Sequence, residues 1–304
     1  MTRNIHPRRL AWLAATAAAC TLFAGCGNSS SGGEAKDPVA QQTENAELHD
    51  MLPDDVQAAG KVSIGTEALY PPFEQFGADN KTIEGLDPDL GKALGEVLGI
   101  DVEFTHTAFD GLLTALDGGR FDLVMAGITD TKEREAIYDF VNYFMTGQSI
   151  VVKKGNPSGI HGIADLCGRP VAVLKASTQE KLLREFNEKE CAGDPIEIGS
   201  FPSDRDALMQ VQSGRSEAAF TQDAVGAYNA KNIGGGNAFE IGNSEALLPV
   251  PVGIVFTKED TQLRDAFQAA LKEIIANGAY DEILAKWDMS GGSFKEATIN
   301  GAES

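Results

Sequence analysis

Short apolar segments of strand type alternate with amphipathic segments of helix type between residues 61 and 136. Strands are predicted at 61–66, 102–104 and 121–126, and helices at 87–98, 109–116 and 131–136. This β-α-β-α-β order predicts a mostly parallel sheet with helices on both faces. Loops at the carboxyl ends of its strands are the expected place for a ligand.

The same alternation begins again at 148–153, an extended segment, and continues to residue 230. Further strands are predicted at 171–174, 196–199 and 218–221, and helices at 163–167, 177–186, 203–213 and 223–230. A second extended segment at 252–257 leads into two closing helices, 261–277 and 280–287.

The two extended segments indicate how the chain divides. Two bridges between two series of elements predict an α/β fold of two lobes, each with a mostly parallel sheet flanked by helices, joined by a two-strand hinge. Lobe 1 is expected to comprise 51–148 and 252–304, and lobe 2 to comprise 149–251. The hinge is expected to bend near 147–152 and 250–256.

Residues 1–25 have the order of a secretory signal. Three arginines precede an apolar run at 10–24, and about 15 apolar residues are too few to span a bilayer. The run ends in FAGC, which resembles a bacterial lipobox and makes Cys26 the expected lipidation site. An unmodified Cys26 behind a soluble signal, or lipidation at Cys20, is the alternative. The acidic, Ser/Gly-rich stretch at 26–50 is expected to be a flexible tether.

The charge of the chain limits its partners. Its formal net charge is −20, from 25 basic and 45 acidic residues. Because a surface of this sign repels nucleic acid, no nucleic-acid partner is expected. Beyond the signal no stretch approaches the length of apolar sequence that a bilayer requires, so no second membrane span is predicted.

Cys167 and Cys191 remain as a pair once the two N-terminal cysteines are set aside. In an oxidising, extracytoplasmic compartment they are expected to form a disulfide, which closes a loop of about 25 residues and adds roughly 3 kcal/mol of stability. Two buried free thiols are the alternative. No histidine stands near either cysteine at metal-ligand spacing, and neither a metal nor another cofactor is expected.

Seven segments carry recognisable motifs. They are GTEALYPPFE (65–74), IEGLDPDLGKAL (83–94), FDGLLTAL (109–116), FDLVMAGITDTKERE (121–135), YDFVNYF (138–144), RPVAVLKASTQEKLL (169–183) and NGAYDEILAKW (277–287). In order and spacing they resemble the polar amino-acid family of extracytoplasmic solute-binding proteins that serve ABC importers, known as solute-binding protein family 3. The resemblance implies the periplasmic-binding-protein type II fold.

An α-amino acid needs donors for its carboxylate, acceptors for its ammonium and a wall for its side chain. Arg134 offers a planar guanidinium fork, and the resemblance implies that it holds the ligand α-carboxylate. A surface ion pair with Glu133 or Asp130 is the alternative role of this arginine.

The resemblance assigns further residues to the carboxylate and ammonium. Thr129 and the backbone at Ala126 and Gly127 correspond to positions that line both groups. Ser177 and Thr178 open a helix of lobe 2, where free N–H groups favour an anion, and correspond to the pair that completes the carboxylate cradle. Ser177 as a helix cap alone is the alternative.

The remaining candidates concern the ammonium and the ligand side chain. Asp223 resembles the family's ammonium-binding aspartate, although the register leaves Gln222 as a second choice for that position. Tyr70 and Phe109 correspond to the side-chain walls, with a core role as the alternative for Phe109. Glu67 matches a position that contacts the distal group of the ligand and would favour an amide or a cation there. A solvated loop acid is its alternative.

The expected function is the capture of a small polar amino acid by closure of the lobes, and its delivery to the permease and ATPase of an ABC importer. The protein is expected to be a monomer and not an enzyme, anchored by lipid to the outer face of the bacterial cell membrane. Two alternatives stay open. One is a dehydratase-like enzyme on the same scaffold, with Glu67 as the spare carboxylate, and the other is a lobe pair that presents a ligand to a separate membrane sensor.

Overall fold

The computed structural model describes residues 41–243 and 247–303. Cys20, Cys26 and the predicted signal peptide lie outside these residues, as does most of the predicted tether. The end of the tether is helical, because Asn45 accepts hydrogen bonds from the backbone N–H groups of Glu47 and Leu48 and so caps the first helix. None of the helices in these two ranges is both long and apolar enough to cross a bilayer.

The α-helices and strands follow the alternation that the sequence predicts. The helices are α1 (Ala46–His49), α2 (Asp54–Ala59), α3 (Leu86–Leu98), α4 (Leu112–Asp117), α5 (Lys132–Glu135), α6 (Thr178–Lys189), α7 (Asp204–Ser213), α8 (Asp223–Asn232), α9 (Thr261–Asn277) and α10 (Ala279–Lys286). The strands are β1 (Lys61–Thr66), β2 (Leu69–Tyr70), β3 (Glu74–Phe76), β4 (Ile83–Glu84), β5 (Asp101–His106), β6 (Leu123–Val124), β7 (Tyr138–Lys153), β8 (Pro170–Leu174), β9 (Glu197–Phe201), β10 (Ala218–Gln222), β11 (Phe239–Ile241), β12 (Leu247–Thr257) and β13 (Ser293–Ile299).

Ten of the described strands form one sheet, in the order β5-β1-β6-β12-β7-β10-β8-β9, with β11 and β13 also paired to β7. β1 is parallel to β5 and β6, and β8 is parallel to β9 and β10. We call the half built on β1, β5 and β6 lobe 1, and the half built on β8, β9 and β10 lobe 2. The predicted α/β class with two mostly parallel half-sheets is confirmed.

β7 and β12 join the two lobes. They pair antiparallel, from Tyr138 opposite Thr257 to Gln148 opposite Leu247. The sequence predicted a strand only from residue 148, whereas β7 begins ten residues earlier. Because β7 is buried along almost its whole length, it lacks the alternation that marks a half-exposed strand.

Several shorter elements also differ from the prediction. The apolar strand expected at 121–126 pairs only over Leu123–Val124, and the helix expected at 109–116 begins as a 3₁₀ turn, Phe109–Gly111, before α4. The separate sheet of β2, β3 and β4 was not predicted. Strands of two or three residues are too short to show a period.

The main apolar core lies mostly in lobe 1 and includes Leu174 and Val225 of lobe 2. Val62 of β1 and Leu90 of α3 share the main core of lobe 1 with Phe267 and Tyr280 of the closing helices. The predicted disulfide between Cys167 and Cys191 is confirmed in lobe 2, with the two Cα atoms 5.4 Å apart. It joins the segment before β8 to the segment that follows α6.

Candidate functional site

The candidate residues lie on loops that follow parallel strands of both lobes. Lobe 1 contributes the loops after β1 and β6, and lobe 2 contributes the ends of β8 and β10. Carboxyl ends of parallel strands are where α/β sheets bind ligands, as the sequence led us to expect.

Arg134 lies on α5, directly after the loop that follows β6. Its Nη1 donates a hydrogen bond to the carbonyl oxygen of Thr129 at 2.8 Å. Burial lowers the pKa of Arg134 to about 10, against the opposing effect of the charges on Glu133 and Asp130. The group therefore stays cationic at neutral pH.

No carboxylate pairs with Arg134 within the described residues. Glu133 forms its ion pair with Lys181 of lobe 2. Asp130 accepts hydrogen bonds from Nδ2 of Asn142 and from the backbone N–H of Gly301, both at 2.9 Å. A half-buried guanidinium without a carboxylate partner is suited to bind a planar anion.

Gly127 and Thr129 lie in the loop after β6, close to Arg134. Gly127 has a φ of 55°, and a Cβ there would lie 3.2 Å from Phe73 and 3.3 Å from Tyr70, so the tight loop requires glycine. The backbone N–H of Gly127 donates to Oδ2 of the buried Asp87 at 3.0 Å. Asp87 lies in the first turn of α3, whose N-cap is Gly85, and its carboxylate holds the loop of Gly127 in place.

The side chains of Gln222 and Asp223 have different hydrogen-bond partners. Nε2 of Gln222 crosses between the lobes and donates to the carbonyl oxygen of Gly127 at 2.9 Å and to Oγ1 of Thr129 at 3.3 Å. Asp223 accepts hydrogen bonds from Oγ1 of Thr146 at 2.5 Å and from the backbone N–H of Ala224 at 2.7 Å. Of the two neighbours, Gln222 is the one in contact with the loop of Gly127 and Thr129.

Ser177 and Thr178 lie at the start of α6. Oγ of Ser177 accepts from the backbone N–H of Glu180 at 3.1 Å and donates to the carbonyl oxygen of Leu174 at 2.6 Å. Ser177 is therefore the N-cap, and Thr178 is the first helical residue. The preceding Ala176 has a φ of 61°, a conformation that favours glycine.

Of the two aromatic candidates, Tyr70 lies beside Gly127. Tyr70 is buried and stacks on Phe73 with ring centroids 6.1 Å apart. Burial and then the charge of Asp204 raise the pKa of Tyr70 well above its ordinary value. Phe109 is half-buried and packs against two apolar cores of lobe 1. Ala126 is buried in the loop after β6, directly before Gly127.

Glu67 is a buried acid and not a solvated loop residue. Its side chain follows β1 and is 1% exposed, and its Oε2 accepts no hydrogen bond from any described residue. Burial, followed by the charges of Asp204 and Asp206 of lobe 2, raises the pKa of Glu67 to about 9. At neutral pH this carboxyl is therefore largely protonated in this arrangement.

Asp204 was not identified from the sequence as a site residue. It is the first residue of α7, 2% exposed, and burial raises its pKa to about 6. The local sequence offered only Ser203 before it, which predicted the start of a helix but no site residue. Its proximity to Glu67 depends on the contact between the lobes, which the local sequence does not show.

Exposed ion pairs also join the lobes. Nζ of Lys175 lies 2.8 Å from Oδ2 of Asp110, and Nζ of Lys231 lies 2.6 Å from Oδ2 of Asp288. Pairs as exposed as these contribute little stability. No cluster of three or more potential metal ligands occurs in the part of the chain that the structure describes.

Comparisons with known proteins agree on one family. The sequence model described as bacterial extracellular solute-binding proteins, family 3, matches residues 62–290. The arginine-binding extracellular protein ArtP of Bacillus subtilis (strain 168) is 33% identical over 282 residues, which are 91% of this chain and 97% of that protein.

Two solved structures resemble the whole two-lobed body. An ancestral arginine-binding protein bound to arginine has a TM-score of 0.68 and 36% identity, covering 75% of this chain and 98% of that one. The ancestral amino acid-binding protein AncCDT-1, a precursor of cyclohexadienyl dehydratase, has a TM-score of 0.68 and 34% identity, covering 77% of this chain and 97% of that one.

Proposed function

This chain belongs to family 3 of the bacterial extracellular solute-binding proteins, and on that premise we propose that it captures a basic amino acid, arginine in the first place, for an ABC importer. The proposed ligand lies between the lobes. Its α-carboxylate faces Arg134, and its side chain points toward Glu67.

The observation that carries this proposal is the state of Arg134. The guanidinium is half-buried and cationic, and it donates to Thr129 without a carboxylate partner among the described residues. Burying a charge without a partner is unfavourable, so a ligand carboxylate would stabilise this position. A bidentate pair with a carboxylate also fixes the orientation of the amino acid.

The choice of a basic side chain is supported by Glu67 and by the relatives. A cation beside Glu67 would favour the ionised carboxylate and reverse the effect of burial on its pKa. ArtP and the ancestral protein of known structure both carry arginine in their names. The ammonium would meet the loop of Gly127 and Thr129, with Asp223 or Gln222 as its partner from lobe 2.

Delivery would follow from closure of the lobes. A ligand held by groups from both lobes stabilises the closed state through its differential contacts, and the bend would occur in β7 and β12. The chain would act outside the cytoplasm as a monomer, tethered by residues 26–50 and by a lipid on Cys26, beside the permease and ATPase of its importer.

Thermal unfolding with a panel of amino acids tests the proposal. Residues 38–304 form one compact unit, so the protein without residues 1–26 keeps its folded body. Arginine should raise the midpoint, because it binds the folded form only, and Arg134→Ala should abolish the rise. Arg120→Ala, at an exposed position of lobe 1, is the matched control. A rise that persists in Arg134→Ala would contradict the proposed role of Arg134.

A dehydratase-like enzyme is the second candidate. It is favoured by the raised pKa of Glu67, because a carboxyl protonated at neutral pH can act as a general acid. AncCDT-1 is named as an amino acid-binding precursor of such an enzyme. Incubation with prephenate or arogenate, followed by detection of the aromatic product, tests this candidate; an absence of turnover counts against it.

A further inference from the structure

We propose that Asp204 is a specificity-determining residue of this site, which meets the cationic end of the ligand side chain from lobe 2 while Glu67 meets it from lobe 1. This inference rests on the proposed capture of a basic amino acid and adds a second carboxylate to it. Each lobe would then supply one acid to the same cation.

The local structure of α7 does not account for a buried acid at position 204. Ser203 is the N-cap, and its Oγ accepts from the backbone N–H of Asp206 at 3.1 Å. Asp206 in turn accepts from Oγ of Ser203 at 2.8 Å. Asp204 takes no part in this exchange. Against the effect of burial, the hydroxyl of Thr221 on β10 lowers the pKa of Asp204, while Oδ2 accepts no hydrogen bond from the described residues.

Asp204 faces the loop of Glu67 across the contact between the lobes. α7 packs against β2, and Asp204 lines a cavity of about 580 Å³ together with Ala68 and Leu69, the two residues that follow Glu67. The charge of Asp204 acts directly on Glu67 and on Tyr70. Oε2 of Glu67 and Oδ2 of Asp204 are both buried without a hydrogen-bond partner among the described residues, and Asp204 is near enough for its charge to raise the pKa of Glu67.

No basic side chain neutralises this pair within the described ranges. Arg205 lines the same cavity, but it is exposed and forms no ion pair with either acid. Burial and the charge of Asp204 keep Glu67 largely protonated in the absence of a cation, and a shared cation would favour the ionised form of both acids. A guanidinium has five N–H donors in a planar fork and can serve two carboxylates at once.

The position of the two acids links specificity to closure. Asp204 meets Glu67 only when the lobes are in contact, so a cationic side chain stabilises the closed state more than the open one. A neutral side chain of the same shape would leave the two acids facing each other without a partner. The protein would therefore distinguish cationic from neutral ligand side chains when its lobes close.

Citrulline tests the inference, because it replaces the guanidinium of arginine by a neutral group of nearly the same shape. Isothermal titration calorimetry should show that the wild-type protein binds arginine roughly 10- to 100-fold more tightly than citrulline. In Asp204→Asn this ratio should fall about tenfold, while the affinity for citrulline is kept or increased. Asp206→Asn, which makes the same change of charge in the same helical turn, should reduce the ratio less.

The other outcomes separate the two proposals. An equal loss of affinity for both ligands in Asp204→Asn would show a structural role and overturn the inference, as would an unchanged ratio. Asp204→Glu, which keeps the charge, should preserve the preference, and Asp204→Ser provides a second neutral variant if the asparagine variant does not fold. A wild-type ratio near one also overturns the inference. If the wild type binds no amino acid, the proposed function fails and the inference with it.

Discussion

Glu67 occupies a position where ionisation is opposed by burial and by two carboxylates of lobe 2. Its ordinary pKa is 4.5, and in the folded protein it is about 9. Between these two values the folded protein holds a proton that the unfolded chain has released. The stabilising contribution of protonated Glu67 is therefore complete below pH 4.5 and is lost as the pH rises toward 9, by up to about 1.4 kcal/mol per pH unit.

Replacing Glu67 by glutamine should remove this dependence. The free energies of unfolding of ligand-free Glu67→Gln and of the wild type are measured by urea denaturation. The value for the variant minus the value for the wild type should increase as the pH rises from about 5 to about 9. Glu188→Gln, at an exposed position of α6, should follow the wild type at every pH. Parallel curves for Glu67→Gln and the wild type would contradict the shifted pKa.

At Arg134 and Glu67 chemistry and motif point to the same residue, and the ligand-binding roles of both stay predictions. The sequence did not decide between Gln222 and Asp223, because successive residues at the end of a strand point to opposite sides and a shift of one residue exchanges them. Asp204 and Asp87 were missed for another reason. Each acts on a loop that is distant in sequence, and only the fold brings them together.

At the scale of elements, the disulfide fixes the far end of α6 relative to β8. Its loop spans a sequence separation of 24 residues, all within lobe 2. Replacing Cys167 and Cys191 by serine should lower the free energy of unfolding by about 3 kcal/mol, because the unfolded chain regains the freedom of that loop. Urea denaturation of the variant measures this change.

The same variant should bind arginine almost as the wild type does. Cys191 lies beyond the C-terminal end of α6, whereas the site residues Ser177 and Thr178 lie at its start. Reduction of the wild-type protein should reproduce the stability of the double serine variant, which controls for the substitutions themselves. A large loss of affinity would show that the position of α6 depends on the disulfide.

The sequence predicted the amphipathic helices well. α3, α6 and α7 have one apolar face each and were found within one to three residues of their bounds. The first ten residues of β7 were not predicted as a strand, because both faces of β7 are buried and its residues do not alternate in polarity. β13 was not predicted, because it pairs with β7, which lies far away in the sequence.

At the scale of the whole molecule, contact between the lobes should control access to the site. Lys175 and Asp110 face each other across the cleft at 2.8 Å. Cysteines at these two positions, joined by a short bismaleimide crosslinker, should stop the exchange of labelled arginine, because the lobes are then unable to separate. The two single-cysteine variants, treated in the same way, should exchange arginine freely. Unchanged exchange after crosslinking would contradict entry through this cleft.

The main core of lobe 1 combines residues from the beginning and the end of the folded chain, and this affects the order of folding during synthesis. Val62 and Leu90 emerge early during synthesis, yet they pack with Phe267 and Tyr280, which emerge near the end. The core that contains Ile150 and Phe220 is complete well before then. Since a unit folds once its partners are present, lobe 2 can fold while lobe 1 still waits for α9 and α10. The lobe that is begun first is thus the last to be finished.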